Sequence, residues 1–380
     1  MSTLENLFLS QLRTLFVCEA KPENKIDVPC PEVFSELLRL STRHSVTPLI
    51  AESLSRHGFL TEEDVAESYR HISYRSFIKW QQQEIELQKV TALFETHYIH
   101  YMPLKGAVLR NFYPEAWMRT SCDIDILVQE EQLSAARKVL IEELGYREDN
   151  KTDHDVMLIA PNGVQLELHY DFSEKQVSTS DVWATAHHNE GSYRYEMSPE
   201  WFYLHHLAHM AKHFVLGGCG IRTFIDLWLM KKNMPYDEER LNEMLRQCEL
   251  LLFAENMLAL VSDWMAGKDL TDIQKQILEF VLTGGTYGVL DNRVAVSHSR
   301  KQNFLLYVFT RVFPNYKAMV YLYPILRKHR ILMPFCQVHR WFHLLNRDKL
   351  KKAETELKNV QALDNDKLDD VSDLLAKLGI

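Results

Sequence analysis

Asp123–Ile124–Asp125–Ile126–Leu127–Val128 alternates carboxylate and aliphatic side chains and closes on a buried-looking apolar run. A period of two is the pattern of a β-strand with one face in a core. On such a strand Asp123 and Asp125 emerge side by side, while Ile124 and Ile126 enter the core behind them. Adjacent carboxylates repel each other and usually need a cation between them, and hard oxygen ligands suit Mg²⁺. Read alone, the pair is equally the solvated polar face of a half-covered sheet.

The next strands raise the chemical reading. His154–Ala160 and Val164–Phe172 flank Pro161–Asn162–Gly163, and Asn-Gly between two alternating runs signals a hairpin. Val164, Leu166, Leu168 and Tyr170 fall on one face, and Gln165, Glu167, His169 and Asp171 on the other. Glu167 is then a third carboxylate on a strand able to neighbour the Asp pair. Three such acids can hold two Mg²⁺ ions about 3.5–4 Å apart around a transferring phosphoryl group. Upstream, a strand at Tyr98–Met102 ends at Pro103, and Lys105–Gly106 turns into a helix. A helix start offers free N–H groups to an anion. Gly106 lets backbone approach a triphosphate, Lys105 supplies a point charge, and Arg110 and Arg119 add positive potential. A further helix spans about 130–144 and ends at Gly145. No Walker A motif occurs.

Together these residues resemble the DNA polymerase β-like nucleotidyltransferases. More closely, Pro-Leu-Lys-Gly-Ala-Val-Leu-Arg-Asn-Phe-Tyr-Pro at 103–114, Arg119 ahead of the Asp-Ile-Asp-Ile-Leu-Val run, and Leu-Glu-Leu-His-Tyr at 166–170 are similar to a largely uncharacterised bacterial group of these enzymes. So are His206–Leu207–Ala208–His209, Arg222–Thr223–Phe224–Ile225–Asp226–Leu227 and the stretches Val312–Pro314, Tyr323–His329, Leu332–Pro334 and Arg340–Trp341. The resemblance covers roughly residues 30–345. It implies Asp123, Asp125 and Glu167 as the metal-binding catalytic trio, and Lys105 and Gly106 as the nucleotide-phosphate turn. The wider superfamily has Gly-Ser at that turn; Ser121 is the candidate replacement. The implied reaction is attack of a hydroxyl on the α-phosphate of an NTP with loss of pyrophosphate, using Mg²⁺. Glu167, or else Asp171, would accept the proton, with His169 beside them.

The rest of the chain fits around this core. Only 13 glycines and 12 prolines occur in 380 residues, so long helices dominate. The expected fold is α+β: a small mixed-sheet core at 98–175 between helical segments at 1–97 and 176–352, with an acidic amphipathic helix or tail at 353–380. Thr61 ahead of Glu62, Glu63 and Asp64 is an expected helix cap. Six cysteines without a Cys-x-x-Cys pair suit a reducing cytoplasm, and no apolar run is long and uncharged enough to span a membrane. The acid and arginine within the first sixteen residues mark an amphipathic helix rather than a signal peptide.

Net charge is −9, which argues against a protein built to wrap nucleic acid. That charge is uneven: residues 301–352 hold eleven Lys/Arg against Asp348 alone, a net of +10, which leaves −19 elsewhere. The basic stretch is a solvated face against the acidic body, a surface for anionic lipid, or a groove for a phosphate-rich partner. His205, His206, His209 and His213 invite a zinc reading, but no Glu completes His-Glu-x-x-His, and core or cleft histidines are commoner. Arg222 and Asp226, four apart, are expected to pair internally, with His206, His209 and Arg222 as candidate substrate contacts. A rival from another class is a binding or scaffold protein that keeps the fold without turnover. The missing Gly-Ser favours it and the carboxylate trio disfavours it. A tRNA-modifying, toxin-like enzyme is a further alternative, and the base and acceptor are not specified by the sequence.

Overall fold

The N-terminal region is helical: α1 (Thr3–Phe16), α2 (Pro31–Arg43), α3 (Thr47–Arg56) and α4 (Glu63–Thr96). These come from a computed structural model that describes residues 1–17, 31–60, 63–174, 176–188, 190–286, 316, 319, 323–327, 329–344 and 365–380. The α1 helix opens on a capping box, Ser2 Oγ accepting from Glu5 N and Glu5 accepting from Ser2 N. The 34 residues of α4 contain neither glycine nor proline. That helix stops because Tyr98 takes φ +58°, letting Ile99 N donate back to Phe94 O at 2.9 Å.

This stop moves the first strand. β1 is Tyr101–Pro103, not Tyr98–Met102, since Tyr98 closes the helix. It lies at a sheet edge, where the missing N–H of Pro103 is tolerated. α5 (Lys105–Leu109), β2 (Asp123–Val128), α6 (Leu133–Leu144), β3 (Arg147–Lys151), β4 (Asp155–Ile159) and β5 (Gln165–His169) complete the core. The strand order is β1-β2-β5-β4-β3, with β2 and β5 parallel and every other pair antiparallel. The Asn162–Gly163 turn joins β4 to β5 as expected, and Gly145 ends α6 at φ +70°. β3 was not foreseen: Arg-Glu-Asp-Asn-Lys has no apolar alternation, and as the other edge strand it needs none.

One face of the sheet is apolar. Ile124, Ile126, Val156, Leu158, Leu166 and Leu168 pack with Val90 and Phe94 of α4 and Ala136 and Leu140 of α6. That pairing forces the alternate residues of β2 and β5, the acids, onto the opposite face.

Beyond the sheet come α7 (Thr179–Thr185), the short strands β6 (His187–His188) and β7 (Tyr195–Glu196), α8 (Pro199–Val215), α9 (Ile221–Asn233), α10 (Glu238–Gln247), α11 (Leu251–Ala266), α12 (Asp272–Gly284), α13 (Met333–Leu344) and α14 (Asn365–Leu378). β6 and β7 extend strand structure past residue 175, and Arg194 bridges to Tyr101. A second core joins the two helical segments, with Phe8, Leu12 and Leu49 meeting Leu207, Phe224, Leu260 and Val281. Buried His44 ties them further: its Nδ1 accepts from Ile221 N and its Nε2 lies 3.2 Å from Leu282 O. The acidic C-terminal helix packs on the same core through Val371, Leu374, Leu375 and Leu378. Thr61 and most of 301–352, with its basic surface, lie outside the described residues. No helix among the described residues is long and apolar enough to cross a membrane.

Candidate active site

Parallel pairing of β2 with β5 sets Asp123 opposite Gln165, Asp125 opposite Glu167, and Leu127 opposite His169. The three carboxylates therefore converge on the uncovered face of the sheet. Asp125 is only 5% exposed. Its Oδ1 accepts from Lys105 Nζ at 2.9 Å and lies 3.0 Å from His169 Nε2, which is also 3.5 Å from Glu167 Oε2. Ligand atoms of Asp125, Glu167 and His169 all lie within 4.8 Å of one another. Burial and the charges of Asp125 and Glu167 push Asp123 up to about 6. Burial alone would raise Asp125 too, but the Lys105 charge and the His169 hydrogen bond hold it well below the usual carboxylate range. His169 is pushed up to about 9: burial opposes this, but the hydrogen bonds to Asp125 and Glu167 prevail. A site this rich in carboxylate oxygen, with Asp123 short of a counter-charge, fits a hard divalent cation.

The acids floor a cleft of about 390 Å³. Lys79, Trp80 and Gln83 of α4 form one wall, and His209, His213, Arg222 and Thr223 of α8 and α9 the other. Lys105, Gly106, Arg119, Ser121 and Glu167 also line it. Lys105 has φ +37°, a left-handed backbone that costs a side-chain-bearing residue about 1 kcal/mol or more. The ion pair with Asp125 holds it there. Arg110 is buried beneath the turn rather than in the cleft lining, its Nε donating to Gly106 O at 2.9 Å. Ser121 Oγ donates to Asp123 O at 3.0 Å and meets Gln83 Oε1 at 3.2 Å, so Gln83 and Ser121 brace the start of β2. A Cβ at Gly106 would lie 2.8 Å from Arg119 Nη1. Gly106→Ala should therefore destabilise the fold by about 1–3 kcal/mol through overpacking. Urea unfolding checks this, and an unchanged midpoint would refute it.

Arg119 is spent largely on Asp226. Its Nε donates to Asp226 Oδ1 at 2.9 Å and its Nη2 to Oδ2 at 2.8 Å, and Tyr113 adds a third hydrogen bond at 2.7 Å. This corrects the expected Arg222–Asp226 pair. Arg222 instead turns its Nη1 to Thr120 O, because α9 presents the two side chains to different neighbours. Its Nε is buried without a hydrogen bond beside the acids. Neither His206 nor Asp171 is a cleft residue. His206 donates from Nε2 to Thr223 O at 2.9 Å, and exposed Asp171 accepts from Phe172 N at 2.8 Å and from Thr179.

One group was not anticipated: Glu174, 4% exposed, meets three α8 residues, His205, His209 and Lys212. The i, i+4 histidine spacing was legible, but the acid lies 35 residues before His209 in irregular chain. Burial holds these histidines neutral: His206 is lowered to about 4, His213 to about 3, His205 well down, and remote His44 to about 4. Each must charge on unfolding, so its stabilising share is complete above the unfolded value near 6.5 and is lost as pH falls from there. The loss is roughly 1.4 kcal/mol per pH unit per histidine. Asp123, raised to about 6, opposes only one of them by taking up a proton in the folded state. The urea midpoint should drop steadily from about pH 6.5 to 4.5, before ordinary carboxylates titrate; a flat midpoint there would contradict the assignment.

Residues 31–266 match the profile of a family described as "Uncharacterised nucleotidyltransferase". The chain belongs to that family. Two solved structures are also similar to this family member. The antibiotic-resistance factor ANT(2'')-Ia is 14% identical, with 49% of this chain and 95% of that one covered, at a TM-score of 0.27. An antigenic nucleotidyltransferase-like protein from Paracoccidioides brasiliensis is 15% identical, with 50% and 93% covered, at a TM-score of 0.31. No curated protein matches the chain significantly.

Proposed function

We propose that the protein transfers an NMP from an NTP to a hydroxyl acceptor with release of pyrophosphate, in the presence of Mg²⁺. The observation that carries this is the register of Asp123, Asp125 and Glu167 across parallel β2 and β5, at the floor of a cleft within a nucleotidyltransferase family member. Asp123, Asp125 and Glu167 would hold the metal, which would supply positive charge to the triphosphate oxygens and acidify the acceptor hydroxyl.

The chain's own groups do the rest. His169 Nε2 bridges Asp125 and Glu167 and fixes their orientation. Lys105 brings a point charge to the phosphates from within the acid cluster, and Gly106 leaves the backbone open beside it. Arg222, which lines the cleft, would add a second positive charge facing the triphosphate. Arg110, Arg119 and Ser121 act by holding the turn and β2 in place.

Incubation with each α-labelled NTP, Mg²⁺ and lysate is the test. Label should pass from one NTP to small molecules, RNA or protein, and the labelled fraction identifies the acceptor class. Mg²⁺ with that NTP should also raise the melting temperature. Stabilisation without label in any fraction would leave the non-catalytic binding protein; a flat response to all four NTPs would remove the nucleotide as well.

A further inference from the structure

A chain of three groups runs from the cleft wall into the protein. Glu174 Oε1 lies 2.9 Å from His209 Nδ1, and His209 Nε2 lies 3.0 Å from His213 Nε2. Glu174 is kept ionised: burial would raise its pKa, but the His209 hydrogen bond and the charges around it hold it well below the usual range. An ionised carboxylate only accepts, so His209 must donate from Nδ1. A neutral His209 then has a bare Nε2, and His213 must donate to it from its own Nε2. This fixes the outer tautomer: the lone pair of the chain is on His213 Nδ1, which has no hydrogen bond among the described residues. Both histidines line the cleft that holds Asp123, Asp125 and Glu167.

The alternative base is poorly placed for the task. Glu167 sits 3.5 Å from His169 and shares its side of the cleft with two other carboxylates, where a cation would claim its lone pairs. Burial keeps both imidazoles unprotonated at rest, so the His213 lone pair is free to accept, and the buried Glu174 carboxylate is the counter-charge for a proton taken up there as the hydroxyl reacts. The groups facing them are Glu174 from the segment after β5, His205 and Lys212 on α8, and Lys105 from α5, whose charge reaches His209 and His213.

We propose that His213 Nδ1 takes the proton of the acceptor hydroxyl, with His209 and Glu174 as positioning residues behind it. This deepens the nucleotidyl-transfer reading and rests on it. As the acceptor oxygen bonds to the α-phosphorus, the bond to pyrophosphate breaks, the leaving group carries off that electron pair, and the hydroxyl proton moves to His213. Nε2–H of His213 can then pass toward His209, whose Nδ1–H faces Glu174, so the positive charge spreads to a buried counter-ion. The proton returns to water when the products leave.

Single-turnover label transfer at saturating Mg²⁺–NTP, to whichever fraction the wild type labels, tests the step. His213→Gln should lose at least about 100-fold in rate, the usual worth of a general base, while Mg²⁺–NTP still raises the melting temperature. Glu174→Gln should lose about tenfold, and its pH–rate profile should shift its acid limb to lower pH, because the imidazolium loses its counter-charge. A merely structural Glu174 would not move that limb. Nitrogen-15 spectra, which need no acceptor, should show His209 protonated at Nδ1 and His213 at Nε2 at neutral pH. An unchanged rate in His213→Gln, or the opposite tautomer on either ring, overturns the relay and leaves nucleotidyl transfer standing. A wild type that labels nothing overturns the transfer reading, and the relay falls with it.

Discussion

Asp125→Asn and Asp123→Asn are both expected to abolish label transfer, by about 1,000-fold or more if both acids hold the metal, yet to shift stability in opposite directions. Asp125 is the anchor of the metal-free cluster: Lys105 Nζ and His169 Nε2 share its Oδ1 at 2.9 and 3.0 Å. Making it neutral leaves the partly buried Lys105 ammonium and buried His169 without the oxygen they share, and breaking such a pair is destabilising. Among the described residues no ion pair or hydrogen bond reaches the Asp123 carboxylate, which sits against the charges of Asp125 and Glu167. A folded pKa near 6 means its ionisation opposes folding above that pH, by on the order of 2–3 kcal/mol. Asp123→Asn removes that cost. In chelated protein at pH above about 7, Asp123→Asn should melt higher than wild type and Asp125→Asn lower, and neither should respond to Mg²⁺. Equal shifts of the same sign would show that the two acids are not differently charged. Retained transfer in either variant would remove it from the catalytic set.

The distinction between the two acids was not legible in the sequence, although the acids themselves were. A period-two pattern tells which side chains share a face, so the Asp pair, Glu167, His169 and the Asn-Gly hairpin could be placed from local spacing. It does not tell which strand lies beside which, nor the register. The parallel pairing of β2 with β5 joins segments separated by an intervening helix and hairpin and brings His169 to Asp125, while the antiparallel β1–β2 pairing, continued by Leu104 N donating to Asp125 O, brings Lys105 to the same carboxylate oxygen. The unforeseen pieces have the same physical origin. Charged β3 carries no core pattern because it pairs only at an edge, Gln83 reaches Ser121 from the middle of a long helix, and Glu174 meets α8 from irregular chain. Arg222 and Asp226 show the reverse error. Helical spacing puts them within reach of each other, but a guanidinium with a better bidentate geometry came from elsewhere.

That guanidinium, Arg119, gives the largest expected stability effect. It is 6% exposed and Asp226 1%, and the two form two parallel hydrogen bonds across 107 residues of sequence. The fork geometry supplies strong, oriented bonds, but both charges have been taken from water, so the net worth of the pair is small while each partner alone is costly. Arg119→Met leaves Asp226 with only the Tyr113 hydroxyl as a bonded partner at 2.7 Å and should cost about 3–5 kcal/mol, lowering the melting temperature by about 5–10 °C. Asp226→Leu alone should be similarly damaging, because Arg119 is then buried without its anion. The double variant Arg119→Met/Asp226→Leu should recover most of the loss, since a buried ion pair can be exchanged for apolar side chains at little net cost. Additive single effects would show that the pair is not coupled. The recovered double variant also separates stability from turnover. Arg119 Nη1 closes the space under Gly106, so removing the guanidinium loosens the Lys105–Gly106 turn even where the fold is restored. Its melting temperature should approach wild type while the Mg²⁺–NTP response stays weakened.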